Sequence, residues 1–199
     1  MADITASMVK ELRERTGVGM MDCKKALKEV GGDIDEAIKH LRKQGAAKAE
    51  KKSGRATGDG RIAHYIHAGD KIGVMVELQC ETDFVARTDD FIRLGEDIAM
   101  HVAASAPRFL SRDDVDEKAL ADEREVQMER VVKEGKPENV AEKIVEGRMG
   151  KFYQENCLLE QPFIKNPDVT IEKLVQEMIA KLGENIQLRR FARLAVGED

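Results

Sequence analysis

Thr82, Asp83, Phe84 and Val85 stand where an alternating apolar segment gives way to a helical pattern, so a benzyl ring and a carboxylate share a corner of the chain. Such a group makes and breaks no bonds; what it offers is recognition. A ring covered by a partner at such a corner is worth roughly 1.5–3 kcal/mol of apolar burial. Position alone leaves two arrangements open, the ring presented at the corner or folded back under the following helix. Aromatic residues make up only 4% of the chain, which makes the placement of this one informative.

Other groups capable of chemistry do not assemble into a site. His64 and His67 lie three apart on a predicted strand and so point to opposite faces, where they cannot share an ion. Cys23, Cys80 and Cys157 are odd in number, far apart and without a CxxC pair, which fits a reducing cytosol better than a disulfide or zinc framework. GxxxxGK[ST], GxSxG, HExxH and a strand-to-helix GxGxxG are all missing, and the carboxylates are spread along helical faces. The expectation is a binding protein with no catalytic residue, cofactor or metal. A net charge of −5 argues against nucleic acid as the main partner. With no apolar leader and no run long enough to span a bilayer, the sequence predicts a soluble cytoplasmic protein.

The elements that must hold the corner follow from periodicity. Ile4, Met8 and Leu12 mark a first helix closed by Thr16-Gly17; Met20 to Val30 marks a second, stopped by Gly31-Gly32. Asp33 with Glu36 starts a third, with Ile34, Ala37 and Leu41 as its buried stripe. Between the first two helices, Gly17-Val18-Gly19-Met20-Met21 brings backbone and flexible thioethers to one edge. At least one of the two methionines must point away from a core served by Leu27 and Val30, so the loop reads as a docking edge for another protein; a plain tight turn is the alternative. Residues 44–60, rich in Ala, Lys and Gly, read as helix tail plus linker, with a boundary near residue 55.

From Arg61 the period becomes two. Ile62, His64 and Ile66, then Ile72, Val74, Val76, Leu78 and Cys80, predict a β-hairpin with a tight Gly69-Asp70 turn and one apolar face. Thr88 caps the next helix, whose stripe is Phe91, Leu94, Ile98 and Val102 and which Pro107 ends. Residues 112–152 carry a narrow apolar seam broken at Glu134-Gly135-Lys136-Pro137. That suits two antiparallel helices paired with each other and projecting from the body, with a pair lying flat on the core as the alternative. Ile171 to Leu182 is a further helix. A third strand runs from Ile186 to Leu194, its alternation slipping at Arg189-Arg190. The fold class is α+β: a three-helix unit, then a small three-stranded antiparallel sheet backed by helices.

Leu12-Arg13-Glu14-Arg15-Thr16-Gly17-Val18-Gly19-Met20-Met21-Asp22-Cys23-Lys24-Lys25-Ala26-Leu27 together with Thr82-Asp83-Phe84-Val85-Ala86-Arg87 resembles the translation elongation factor Ts family, exchange factors for the GTPase EF-Tu. The likeness extends through Met100-His101-Val102-Ala103-Ala104, Gly135-Lys136-Pro137, Glu146-Gly147-Arg148-Met149 and Lys181-Leu182-Gly183-Glu184-Asn185-Ile186. It implies a ubiquitin-associated-like domain with linker helix at 1–54, a dimerisation core at 55–111 and 155–199, and a coiled-coil hairpin inserted at 112–154. It also implies that Arg13, Val18, Met20, Met21 and Lys24 grip the GTPase. Thr82, Asp83, Phe84 and Val85 then form a wedge that disturbs its Mg²⁺ site and loosens GDP, while His67, Leu182 and Gly183 add contacts. Val18 replaces the usual alanine of the glycine loop. The single copy of the hairpin-plus-helix half resembles the short bacterial form, which completes itself as a homodimer. A ubiquitin-associated-type adaptor is the competing class; it would explain the Met-Gly loop and leave Asp83-Phe84 idle.

Overall fold

The structure, a computed structural model, describes residues 4–135 and 137–198, without the side chains of residues 138 and 139. The elements run α1 (Ala6–Thr16), α2 (Met20–Glu29), α3 (Ile34–Lys52), β1 (Asp59–Ile66), β2 (Ile72–Cys80), α4 (Asp83–Ala86), α5 (Asp89–Ser105), α6 (Glu117–Lys133), α7 (Glu138–Asn156), β3 (Pro162–Phe163), β4 (Asn166–Thr170), α8 (Ile171–Leu182) and β5 (Ile186–Ala195). The fold is α+β, with a three-stranded antiparallel sheet in the order β1-β2-β5 and a separate β3-β4 pair. The small pair went unread in the sequence because Pro162-Phe163 is too short to show a period. Among the described residues no helix is long and apolar enough to cross a membrane.

The chain divides into two compact units. The first comprises the chain up to Ala63 with Glu77–Gly95 and Lys173–Leu188; the second comprises His64–Val76, Glu96–Glu172 and the chain from Arg189.

In the first unit, Thr5 caps α1 by accepting the Met8 N–H, and Gly17 closes it at φ +68°, its N–H reaching the Arg13 carbonyl at 2.7 Å. That left-handed closure is cheap only for glycine. Asp33 accepts the Glu36 N–H at 2.9 Å and starts α3. Val9, Leu12, Cys23, Ala26, Leu27, Ala37 and Leu41 fill the space between the three helices. The helix tail read from residue 44 runs as far as Lys52, with Gly45 and Ala49 buried. They continue the Leu41 stripe at four-residue spacing, but with residues too small to register as apolar. Their smallness is what the packing requires, because a Cβ added at Gly45 would lie 3.2 Å from the Ala180 Cβ of α8. That is tighter than relaxed carbon contact.

The hairpin departs from expectation in two respects. Its turn is His67-Ala68-Gly69-Asp70, closed by the Asp70 N–H on the His67 carbonyl at 3.0 Å, so Ala68 and Gly69 are the central pair. Asp70 follows at φ +57°, a conformation that aspartate tolerates. On β2 the face carrying Val74, Val76, Leu78 and Cys80 is buried as read, but on β1 the inward residues are Ala63 and Tyr65, while Ile62 and Ile66 are exposed. The apolar residues of β1 thus mark the open face of the sheet. On β5 burial alternates through Ile186 and Leu188, slips at the exposed pair Arg189-Arg190, and resumes in the opposite phase.

In the second unit α6 and α7 bury a seam of Val131, Ala141, Val145 and Met149, bordered by Leu120, Met128, Ile144 and Phe152. Ion pairs Arg124–Glu146 at 2.9 Å and Arg148–Glu134 at 2.7 Å flank it. Lys136, in the break between the two helices, lies outside the described residues. His101 on α5 is fully buried: its Nε2 lies 2.9 Å from Gln161 Oε1, and its Nδ1 accepts the Ile164 N–H at 3.3 Å. These contacts suit a neutral ring, and burial lowers its pKa below the usual 6.5. Unfolded chains therefore take up a proton there before folded ones do, so this stability is present above about pH 6.5 and is lost as pH falls below it. The melting temperature is expected to drop between pH 7 and 5.5, with the drop much reduced in His101→Gln. Identical slopes for the two proteins would refute this role.

Candidate partner-binding site

α4 is a single helical turn, and its orientation follows from what it buries. Val85 and Ala86 are inside, and at about 100° per residue the side chain just before them is carried outward. Phe84 is 80% exposed. Phe91 of α5, by contrast, is buried. Thr82 precedes the turn with an extended backbone, its hydroxyl 3.5 Å from the Val85 N–H, and Arg87 pairs with Asp83 at 2.8 Å across the turn.

A local cap that long holds little. The turn is held instead from across the chain. Glu184, just beyond α8, accepts the Glu81 and Thr82 N–H groups on Oε2 at 3.1 and 3.0 Å and the Thr82 hydroxyl on Oε1 at 2.6 Å. Glu81 reciprocates by accepting the Asn185 N–H at 2.7 Å, with Arg55 at 3.4 Å. Hydrogen bonding from the Asn185 backbone, helped by Arg55, holds the Glu81 carboxyl below its usual range. The buried Asn185 side chain donates to the Ser53 and Arg55 carbonyls at 3.2 and 2.8 Å. The Cys80 thiol, which donates to the Thr82 carbonyl at 3.1 Å, is pushed up to about 11 by burial and by the Glu184 charge.

The same end of α8 meets the glycine loop. Lys181 pairs with Asp90 at 2.7 Å, and its chain passes so close to Gly17 that a Cβ there would lie 3.2 Å from the lysine Cε. Lys52 donates to the Gly183 carbonyl. The first unit therefore brings together the glycine loop, the Phe84 turn and the Leu182-Gly183 turn. Leu182 is half-buried and Gly183 exposed.

In the loop itself Met21 is 78% exposed and Met20 47% exposed; Arg13 on α1 and Lys24 on α2 are exposed as well. Val18 is half-buried against the three-helix core, its carbonyl accepting from the Cys23 thiol at 3.4 Å. His67 belongs to the second unit, exposed at the hairpin turn with its Nδ1 3.1 Å from the Tyr65 hydroxyl. Among the described residues no three of His, Cys, Asp and Glu are placed to hold a metal ion. Sequence reading missed Glu81, Glu184, Asn185 and Lys181 as site residues. Their signal was a run of polar residues between a helix and a strand, whose partners lie about a hundred positions away.

Comparison with known proteins matches residues 2–178 to the family described as Elongation factor TS. The chain belongs to the elongation factor Ts family. It is 56% identical over 195 residues to "Elongation factor Ts" of Carboxydothermus hydrogenoformans, covering 98% of this chain and 90% of that one. To the protein of that name from Fervidobacterium nodosum it is 56% identical over 196 residues, covering 98% and 100%. To that from Solibacter usitatus it is 57% identical over 198 residues, covering 100% and 93%. As an elongation factor Ts family member the chain is an elongation factor of protein biosynthesis.

Proposed function

We propose that this chain is a guanine-nucleotide exchange factor that binds EF-Tu·GDP and promotes GDP release during polypeptide elongation. It acts by contact alone, with no catalytic residue or cofactor and no nucleotide, nucleic acid or membrane of its own to bind, and it works in the cytoplasm. The carrying observation is Phe84, an apolar ring standing 80% exposed on a turn anchored beneath it. Held in water, the ring gains only when a partner's apolar slot covers it. Thr82, Asp83, Phe84 and Val85 form the wedge that disturbs the partner's Mg²⁺ site. Arg13, Val18, Met20, Met21 and Lys24 form the grip, Val18 from its half-buried place by setting the loop. His67, Leu182 and Gly183 make further contacts.

The functional particle is a homodimer. What supports it is that in the second unit Ile66 and Met75 are exposed on the hairpin, and Leu194 and Val196 at the end of the edge strand, apolar side chains that a second copy would cover. Release of fluorescent GDP from EF-Tu, followed by stopped flow with and without this protein, tests the reading. Acceleration that rises with factor concentration and saturates supports it, and a release rate that ignores the protein overturns it.

A further inference from the structure

Phe84 sits on one turn of helix, and one turn does not hold itself: a short helix is unfavourable until outside contacts supply what its few hydrogen bonds cannot. The local cap from the Thr82 hydroxyl is stretched to 3.5 Å. Three well-formed bonds reach the turn from a single carboxylate on a different segment, that of Glu184. All three donors lie in Glu81 and Thr82, the two residues on which the turn starts. Bonds to an ionised acceptor are the stronger kind, and here they fix backbone rather than side chain.

We propose that Glu184 is the positioning residue of the exchange reaction: its carboxylate locks the Glu81-Thr82 backbone and so presents Phe84 in the one orientation that enters the partner. The inference rests on the exchange reading above. The reciprocal bond from the Asn185 N–H to Glu81 closes the lock from the other side, so the Phe84 turn and the turn after α8 move as one body. Glu184 itself touches no partner atom in this scheme. It keeps the insertion-ready conformer populated; because the grip holds the partner equally well in either conformer of the turn, neither is selected by binding and the saturating rate scales with the ready fraction.

The test is GDP release from EF-Tu as a function of factor concentration, comparing the native protein with Glu184→Ala, Glu184→Gln and Glu184→Asp. With the ready conformer reduced to about a tenth, Glu184→Ala lowers the saturating rate about tenfold. The half-saturating concentration, set by the grip, stays within about twofold. Glu184→Gln retains a carbonyl oxygen for the two N–H groups and turns its amide toward the Thr82 hydroxyl, which can accept, so it restores most of the rate. A folded Glu184→Ala protein with the native saturating rate overturns the proposal, as does one whose only change is in half-saturation. Should the alanine variant not fold, Glu184→Asp keeps the charge but withdraws it by one methylene, and an undiminished saturating rate there overturns the proposal equally. A native protein that fails to accelerate release sinks the exchange reading alone. The lock is then judged by amide hydrogen exchange at Glu81 and Thr82: about tenfold faster in Glu184→Asp sustains it, and equal rates overturn it.

Discussion

Phe84→Ala is expected to slow GDP release at saturating factor by about ten- to a hundredfold while leaving the fold and the half-saturating concentration nearly unchanged. The ring is 80% exposed, so its removal opens no cavity, and surface changes of this kind usually stay within about 0.5 kcal/mol of stability. Covering a phenylalanine is worth roughly 1.5–3 kcal/mol. At about 1.36 kcal/mol per tenfold in rate, that gives the stated range. An acceleration of ~10⁴ would need about 5.5 kcal/mol of preference for the open GTPase, so the ring supplies a part and the remaining contacts the rest. By linkage GDP must weaken factor binding by the factor that the factor weakens GDP binding. Stopped-flow release with labelled GDP reads the loss directly. An unchanged rate removes the wedge, and a rate reduced to that of EF-Tu alone would show that the ring does more than its area accounts for.

The paired change Met20→Ala with Met21→Ala is expected to do the opposite: raise the half-saturating concentration about ten- to a hundredfold and leave the saturating rate nearly intact. Both thioethers are exposed, and each buries apolar area only once a partner arrives. Covering the equivalent of two to three methylene-sized groups across the two side chains, at about 0.8 kcal/mol each, accounts for the size. Deleting residues 1–50 would be a poorer test. It would strip α3 from α8 at the Gly45–Ala180 contact, and weakened binding would then also report a damaged unit. Titrating EF-Tu·GDP with the paired variant and with Phe84→Ala separates grip from wedge; a paired variant with native half-saturation removes the grip.

These expectations draw on what was legible in the sequence and on what was not. Helices α1, α2 and α8 announced themselves by apolar spacing and by glycines or caps at their ends, because those signals act within a few residues. That at least one of Met20 and Met21 is exposed followed from counting, since two adjacent residues cannot both enter a core already filled by Leu27 and its neighbours; that both are exposed came from the structure. The outward turn of Phe84 could not be counted the same way, since it depends on Val85 and Ala86 being the residues of the turn that are buried. The burial of Gly45 and Ala49 within the tail of α3 was hidden because close helix packing uses residues that a hydropathy reading does not score as apolar. The inward face of β1 was misjudged for a related reason: Ala63 and Tyr65 went in and the isoleucines stayed out, a choice made by the surfaces available to each face. The bonds from Glu184 to Glu81 and Thr82 join positions about a hundred residues apart, and no local pattern encodes a partner that distant.

The seam between α6 and α7 is sealed by residues that both helices supply themselves, from Val131 to Met149. A segment that keeps its own interior dry makes no demand on the volume of any other part of the molecule. Whole turns can be added or removed at its tip, changing its reach by about 1.5 Å per residue, without opening a void elsewhere. Length at the turn between these two helices is therefore set by their own seam alone.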